Sequence, residues 1–144
     1  MGDTISATAD HMLGRERSQP AYQAYQILHI GFTVAPIVAG ADKFLHLLVN
    51  WDQYLSPWIA ARSPISGHHL MLAAGVVEIV AGALVAIQPK IFAPVVGIWL
   101  CLIFINLVSM GAYLDVAVCD IGLVLGAFAL GRLAIGVEQN RRIQ

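Results

Sequence analysis

Charged residues are scarce in this chain of 144 residues, because Asp, Glu, Lys and Arg make up only 12% of it. Soluble domains carry roughly 25% charged residues, since a surface that faces water needs them. The shortage therefore argues against an ordinary water-soluble domain. The formal net charge of -1 and the lack of a basic stripe also exclude nucleic acid as a partner.

Cysteine and cofactor motifs are equally rare. Cys101 and Cys119 are the two cysteines, both lie in apolar runs, and the sequence contains no CxxC motif. This argues against a thioredoxin-like centre and a cysteine-bound iron–sulfur cluster. The glycine-rich fingerprint of flavin and nucleotide sites is also missing, and no covalently bound cofactor is predicted.

Hydrophobic residues are abundant: they make up 58% of the chain and give a mean hydropathy of +0.74. The apolar runs are long, and about 20 helical residues cross a hydrocarbon core of ~30 Å. Continuous runs favour helices over the alternating strands of a membrane barrel. The sequence predicts an all-α membrane protein, a bundle of four transmembrane helices. The expected spans are about 27–49, 69–88, 91–113 and 116–137.

Both ends of the chain are polar. Residues 1–19 are expected to form an irregular segment, with the first helix starting near Pro20, and residues 138–144 are expected to form a polar tail. Arg15 and Arg17 ahead of an apolar run are also compatible with a cleaved signal peptide. The long polar leader argues against cleavage, and we expect the segment to be retained.

The longest connection, at residues 50–67, lies between the first two spans. Trp51, Tyr54 and Trp58 have amphipathic rings of the kind that lie at lipid headgroups. A Ser-Pro pair within the connection can begin a short helical turn. The sequence predicts a short interfacial helical loop across the mouth of the bundle.

Basic residues near the ends of the spans predict the orientation, since cytoplasmic loops are rich in Lys and Arg. Lys43 and Arg62 fall on one side of the membrane. The larger group, on the opposite side, consists of Arg15, Arg17, Lys90, Arg132, Arg141 and Arg142. Both termini are therefore expected in the cytoplasm, with the chain in the inner membrane of a bacterium or archaeon.

Several polar residues lie within the apolar spans, where an ionisable side chain costs about 2.5–3.5 kcal/mol. A rise of ~1.5 Å per residue places all of them in the outer half of the bundle. We expect them to form a polar pocket that opens outward and binds a ligand, and no catalytic role is assigned to any of them. These candidates are Asp42, Lys43, His46, Glu78, Asn106 and Asp120.

Helix geometry predicts how these residues pair. Asp42 and His46 are four positions apart and share a helix face, whereas Lys43 points about 100° away and can reach Glu78 or Asp120. Such pairs can fix helix packing without doing chemistry. They can also bind a small ligand or a quinone headgroup, or relay protons. Both interpretations remain open from the sequence.

Haem and metal are weaker alternatives. His46 is expected at the outer surface near His68 or His69, whereas axial haem ligands normally lie deeper, on facing helices. No ligand spacing matches a zinc site or a facial triad, so the sequence predicts no metal site.

Three motifs resemble the DoxX-like family of small four-helix membrane proteins. Residues 39–44 read Ala-Gly-Ala-Asp-Lys-Phe, residues 75–82 contain the GxxExxxG pattern, and residues 120–123 read Asp-Ile-Gly-Leu. The resemblance covers the four spans. The family includes quinone-linked subunits of thiosulfate oxidation and proteins that associate with redox enzymes. The resemblance implies an accessory or quinone-interacting subunit of a respiratory-type membrane redox complex.

The sequence leaves three functions open. The chain is a quinone-interacting or accessory redox subunit, a structural or assembly subunit without ligand chemistry, or a small-molecule transporter. No inverted repeat supports the transporter. Because little of the chain lies outside the spans, the expected partners are membrane lipids and other membrane-protein subunits or further copies of the chain.

Overall fold

Helices form nearly all of the chain in the computed structural model, which describes residues 2–143, with the side chains of residues 20–140 and of Arg142. That part of the chain contains five α-helices, one 3₁₀ helix and no β-strand. In chain order they are α1 Gly2–Leu45, the 3₁₀ helix Trp51–Tyr54, α2 Pro57–Arg62, α3 Gly67–Ile87, α4 Pro89–Met110 and α5 Leu114–Ile143.

Four of these helices contain a segment that is long and apolar enough to cross a membrane. The segments are Pro20–Leu45, Gly67–Ile87, Pro89–Met110 and Leu114–Asn140. Large apolar side chains such as Val80, Ile98 and Leu125 are exposed on the outward faces of the bundle. Such faces are stable in lipid rather than in water. The predicted four-helix transmembrane bundle is confirmed, and the chain is a multi-pass membrane protein.

The ends of the helices differ from the sequence prediction. α1 begins at Gly2, not near Pro20, so the segment 2–19 predicted to be irregular is helical and continues directly into the first span. α5 likewise continues through the predicted tail to Ile143, while Met1 and Gln144 lie outside the described residues. α1 ends at Leu45, four residues before the predicted end of the first span.

Two pairs of helices make the closest contacts, α1 with α3 and α4 with α5. A Cβ atom placed on Gly40 of α1 would lie 2.5 Å from the carbonyl oxygen of Gly75 on α3, so only glycines permit this approach. On the other pair, Gly131 of α5 packs directly against Pro94 of α4. Small residues at helix contacts let backbones come close together in a membrane.

The segment 46–66, which contains the 3₁₀ helix and α2, covers one end of the bundle and is called the lid here. α3 and α4 are joined by Gln88 at the other end, and they contact each other much less than the two close pairs do. The space between α3 and α4 is therefore closed by their connection at one end and covered by the lid at the other.

Candidate functional site

A mostly apolar cavity of about 500 Å³ lies beneath the lid. α3 and α4 supply most of its wall, the lid covers it, and α1 and α5 each add one residue. The residues that line it include Lys43, Trp51, Tyr54, Leu55, Ala74, Val77, Glu78, Trp99, Asn106 and Val116. An apolar wall with a few polar groups is the common composition of small-molecule sites.

One buried ion pair forms part of the cavity wall. Lys43 Nζ on α1 donates to Glu78 Oε2 on α3 at 2.6 Å, and the two side chains are only 4% and 10% exposed. Each residue lies three positions after a glycine of the close α1–α3 contact, Gly40 or Gly75, and therefore on the same helix face. The predicted contact of Lys43 with Glu78 or Asp120 is confirmed for Glu78.

The predicted side-chain pair of Asp42 with His46 is wrong. The Asp42 carboxylate instead accepts from the backbone N–H groups of Leu47 and Leu48 at 2.9 and 3.0 Å and from Trp51 Nε1 at 2.7 Å. The prediction assumed a helix that continues past His46, but that residue has a φ of 52° and ends the helical geometry. Asp42 thus organises the start of the lid.

Asn106 fastens the middle of the lid to α4. Its Oδ1 accepts from Ser56 N–H at 2.9 Å and its Nδ2 donates to the carbonyl oxygen of Tyr54 at 2.6 Å. Ser109, one turn further along α4, donates to Ser56 Oγ at 3.2 Å. The Tyr54 ring also packs edge-on against Tyr113, with centroids 4.7 Å apart. The amide of Asn106 is therefore already occupied by the lid backbone.

Asp120 is buried on α5 close enough to Glu78 for the two carboxyl groups to interact electrostatically. Its Oδ2 is buried and has no hydrogen-bond partner among the described residues. It does not line the cavity. Asp120 is therefore near the ion pair but outside the cavity wall.

The structure separates the predicted site residues into two groups. Lys43, Glu78 and Asn106 line the cavity, whereas Asp42, His46 and Asp120 do not. The aromatic residues of the lid also divide. Trp51 and Tyr54 line the cavity, while Trp58 is exposed and stacks on Arg62.

Sequence reasoning missed Trp99, a cavity residue on α4. Its indole Nε1 is buried and has no hydrogen-bond partner among the described residues. The available signal was its position, because it is the one tryptophan in the middle of an uninterrupted apolar span. Buried tryptophan N–H groups usually have a partner, so this unpaired donor behind the ring surface is an unusual feature of the cavity wall.

Outside the cavity, His46, Asp52 and His68 come close together at the edge of the lid. Their spacing in the sequence does not indicate a metal site, because these residues belong to three different segments. Their approach depends on the path of the lid.

No family model matches this chain, no curated protein matches it, and no solved structure matches it. The DoxX-like resemblance therefore rests on its three short motifs and stays a prediction.

Proposed function

We propose that the chain is a membrane subunit that holds a lipophilic ligand of the quinone class in the cavity beneath the lid, as a component of a membrane redox complex. The observation that supports this most directly is the cavity wall, in which apolar side chains surround a few hydrogen-bond donors. Small-molecule cavities commonly measure about 300–1,000 Å³, which includes the size of this one.

One donor in the wall suits a carbonyl oxygen of a quinone. The Lys43 ammonium has three N–H groups, and among the described residues only Glu78 accepts from it. The Trp99 indole nitrogen is buried, so Trp99 contributes ring surface to the wall rather than a donor. The aromatic rings of Trp51 and Trp99 suit a planar headgroup. A headgroup carbonyl beside Lys43 gives the ammonium a second acceptor.

The chain supplies binding and proton groups rather than an electron carrier. Reduction of a quinone to a quinol takes electrons and protons in equal number. In this proposal the electrons come from the cofactor of a partner subunit, and Glu78 exchanges protons with the headgroup. Replacing Glu78 with Gln keeps an oxygen for Lys43 but removes the exchangeable proton, so we expect binding to weaken and proton transfer to stop.

Tryptophan fluorescence tests the proposal, because two of the three tryptophans line the cavity and the third, Trp58, does not. In a Trp58→Phe variant, all the emission comes from the cavity wall. A benzoquinone with a short alkyl tail, titrated into this variant in detergent, is expected to quench the emission saturably. A naphthoquinone is the second probe.

The decisive variant is Ala74→Phe, which fills the cavity from α3, and its control is Ala83→Phe, on the exposed face of the same helix. We expect Ala74→Phe to abolish saturable quenching and Ala83→Phe to leave it unchanged. Quenching that is linear in quinone concentration, or equal in the two variants, contradicts the proposal.

A purely structural membrane subunit is the second candidate. The pairing of most polar groups near the cavity favours it, since Asp42 and Asn106 both use their acceptors to hold the lid. A subunit of this kind binds no quinone in the titration above, but it still migrates with partners on native electrophoresis after extraction in mild detergent.

A further inference from the structure

Two histidines and an aspartate from three segments meet at the edge of the lid. One ligand-type atom from each of His46, Asp52 and His68 lies within 4.8 Å of the others. His68 Nδ1 is 2.9 Å from Asp52 Oδ2, and the rings of His46 and His68 are nearly parallel, with centroids 5.8 Å apart. We propose that these three side chains bind a divalent transition-metal ion, for which Zn²⁺ is the best match. None of them lines the cavity.

The ligand set has the chemistry of a zinc site. Imidazole nitrogens and a carboxylate oxygen bind Zn²⁺ at about 2.0–2.2 Å, and three protein ligands leave a fourth position for water or another ligand. Two ligands in a tetrahedral site lie about 3.3 Å apart, so no pair needs to close by more than about 1.5 Å, and the His68–Asp52 pair, at 2.9 Å, needs to open by about 0.4 Å. His46 and His68 are exposed, and small rotations of their side chains provide that movement.

The backbone at His46 is a second, independent observation. His46 has a φ of 52°, the one positive φ of a residue other than glycine in the described part of the chain. It directly follows the last residue of α1, a position that glycine or asparagine usually occupies. Histidine, like asparagine and aspartate, tolerates this conformation better than most residues, and residues held in it concentrate at ligand-binding positions.

Asp52 has acceptor capacity that the protein does not use. Its Oδ2 contacts His68, while its Oδ1 is buried and has no hydrogen-bond partner among the described residues. A cation beside this carboxylate provides a counter-charge for the second oxygen. An ion held by the three residues joins the end of α1, the 3₁₀ helix and the start of α3. It therefore fastens the lid to α1 and α3, whereas Asn106 fastens it to α4.

Calorimetric titration with Zn²⁺ tests the site in the full chain, purified in detergent with an affinity tag that contains no histidine. We expect one ion per chain. The variant His46→Gly removes one ligand and keeps the positive φ without strain, so the fold is preserved. We expect this variant and His68→Gln each to weaken Zn²⁺ binding by more than about tenfold.

His69→Gln is the matched control, because the His69 ring contacts Ser66 Oγ and lies outside the group. We expect it to bind Zn²⁺ as the unaltered chain does. Zn²⁺ should also raise the melting temperature of the unaltered chain and of His69→Gln but not that of His46→Gly. The absence of Zn²⁺ binding, or equal binding by all three variants, overturns the proposal. Without metal, His46→Gly should melt at or above the melting temperature of the unaltered chain. Its weaker Zn²⁺ binding then comes from the missing ligand and not from a damaged fold.

Discussion

Asp42 and Lys43 are neighbours in sequence, but their side chains leave α1 about 100° apart and do different tasks. Asp42 faces the lid and accepts from three N–H groups, whereas Lys43 faces α3 and neutralises Glu78. Both contact Trp51, which donates its N–H to Asp42 and lays its ring 3.8 Å from Lys43 Nζ. Asp42 therefore holds the edge of the Trp51 ring and Lys43 contacts its face, so Trp51 connects the lid to the Lys43–Glu78 ion pair.

Lys43→Met is expected to lower the free energy of unfolding by about 3 kcal/mol, because it leaves Glu78 as a buried carboxylate without its partner. The double variant Lys43→Met with Glu78→Leu should recover most of that loss, since two apolar side chains then replace the pair. The measurement is denaturant unfolding in detergent micelles, followed by circular dichroism.

Lys90→Met is the control for this prediction. Lys90 pairs with Glu138 at 2.7 Å, but both side chains are 36% exposed. Exposed pairs contribute about 0–1 kcal/mol, so this variant should change stability little. If both single variants lose the same stability, the burial of the Lys43–Glu78 pair contributes nothing to the fold.

The sequence was sufficient to predict the Lys43–Glu78 contact but not the partners of Asp42. Lys43 and Glu78 lie well inside regular helices, where residue spacing sets side-chain direction. Asp42 lies in the last turn of α1, and its partners come from the backbone that follows. The positive φ at His46 that creates this turn has no signature in the composition of the segment.

The lid is held by several elements at once rather than by packing alone. Asp42 fixes it to α1, Asn106 and Ser109 fix it to α4, and the Asp52–His68 contact fixes it to α3. Its apolar residues, including Leu55 and Ile59, face the cavity. Its polar contacts therefore decide whether the cavity is covered.

Asn106→Ala is expected to loosen the middle of the lid. The Ser56 N–H loses its acceptor, and we expect its hydrogen exchange to accelerate by about tenfold, the effect of losing roughly 1–2 kcal/mol of local protection. Hydrogen–deuterium exchange with mass spectrometry on peptides that cover residues 50–60 measures this. Ser109→Ala, which leaves the Ser56 N–H bond intact, is the control. Equal exchange in the two variants contradicts the assigned role of Asn106.

Glycines at the contact between α1 and α3 set the distance across which Lys43 reaches Glu78. Gly40→Ala places a methyl group against the Gly75 carbonyl oxygen, and we expect a loss of about 1–3 kcal/mol in stability because the helices must separate. Gly122→Ala on α5 is the matched control, since a Cβ there meets nothing within 4 Å. It should gain up to about 1 kcal/mol from helix propensity.

Thermal unfolding of Gly40→Ala and Gly122→Ala in the same detergent measures this difference in stability. Of the two glycines in the GxxxG pattern at residues 122–126, only Gly126 makes a close helix contact, against Phe32. Equal stability of Gly40→Ala and Gly122→Ala contradicts the assigned role of the α1–α3 contact.

The four spans could be predicted from the sequence because each apolar run reports on its own segment, independently of its neighbours. The cavity could not be predicted in this way. It depends on how far α3 and α4 separate beneath the lid, and Trp99 becomes a wall residue only once that separation is known. Choosing polar candidates by depth alone therefore combined residues that line the cavity, such as Glu78, with residues that do not, such as Asp120.

The orientation of the whole bundle is the remaining prediction from the sequence. Lys43 is buried in the bundle beside Glu78 rather than in a loop, so Arg62 is the one described Lys or Arg in the loop at the lid end. Lys90 and Arg142 lie at the opposite end, with the start of α1 and the end of α5, and this bias predicts a cytoplasmic location for that end.

Single cysteines placed at Gln53 in the lid and at Gln139 near the end of α5 test the orientation, because both side chains are exposed. Cys101 and Cys119 are first replaced by alanine to remove the native thiols. In intact cells of a bacterial host, a membrane-impermeant maleimide should label Gln53→Cys at once and Gln139→Cys only after the cells are opened. The reverse order places the lid in the cytoplasm and the cavity on the inner side of the membrane, because the fold ties the cavity to the lid.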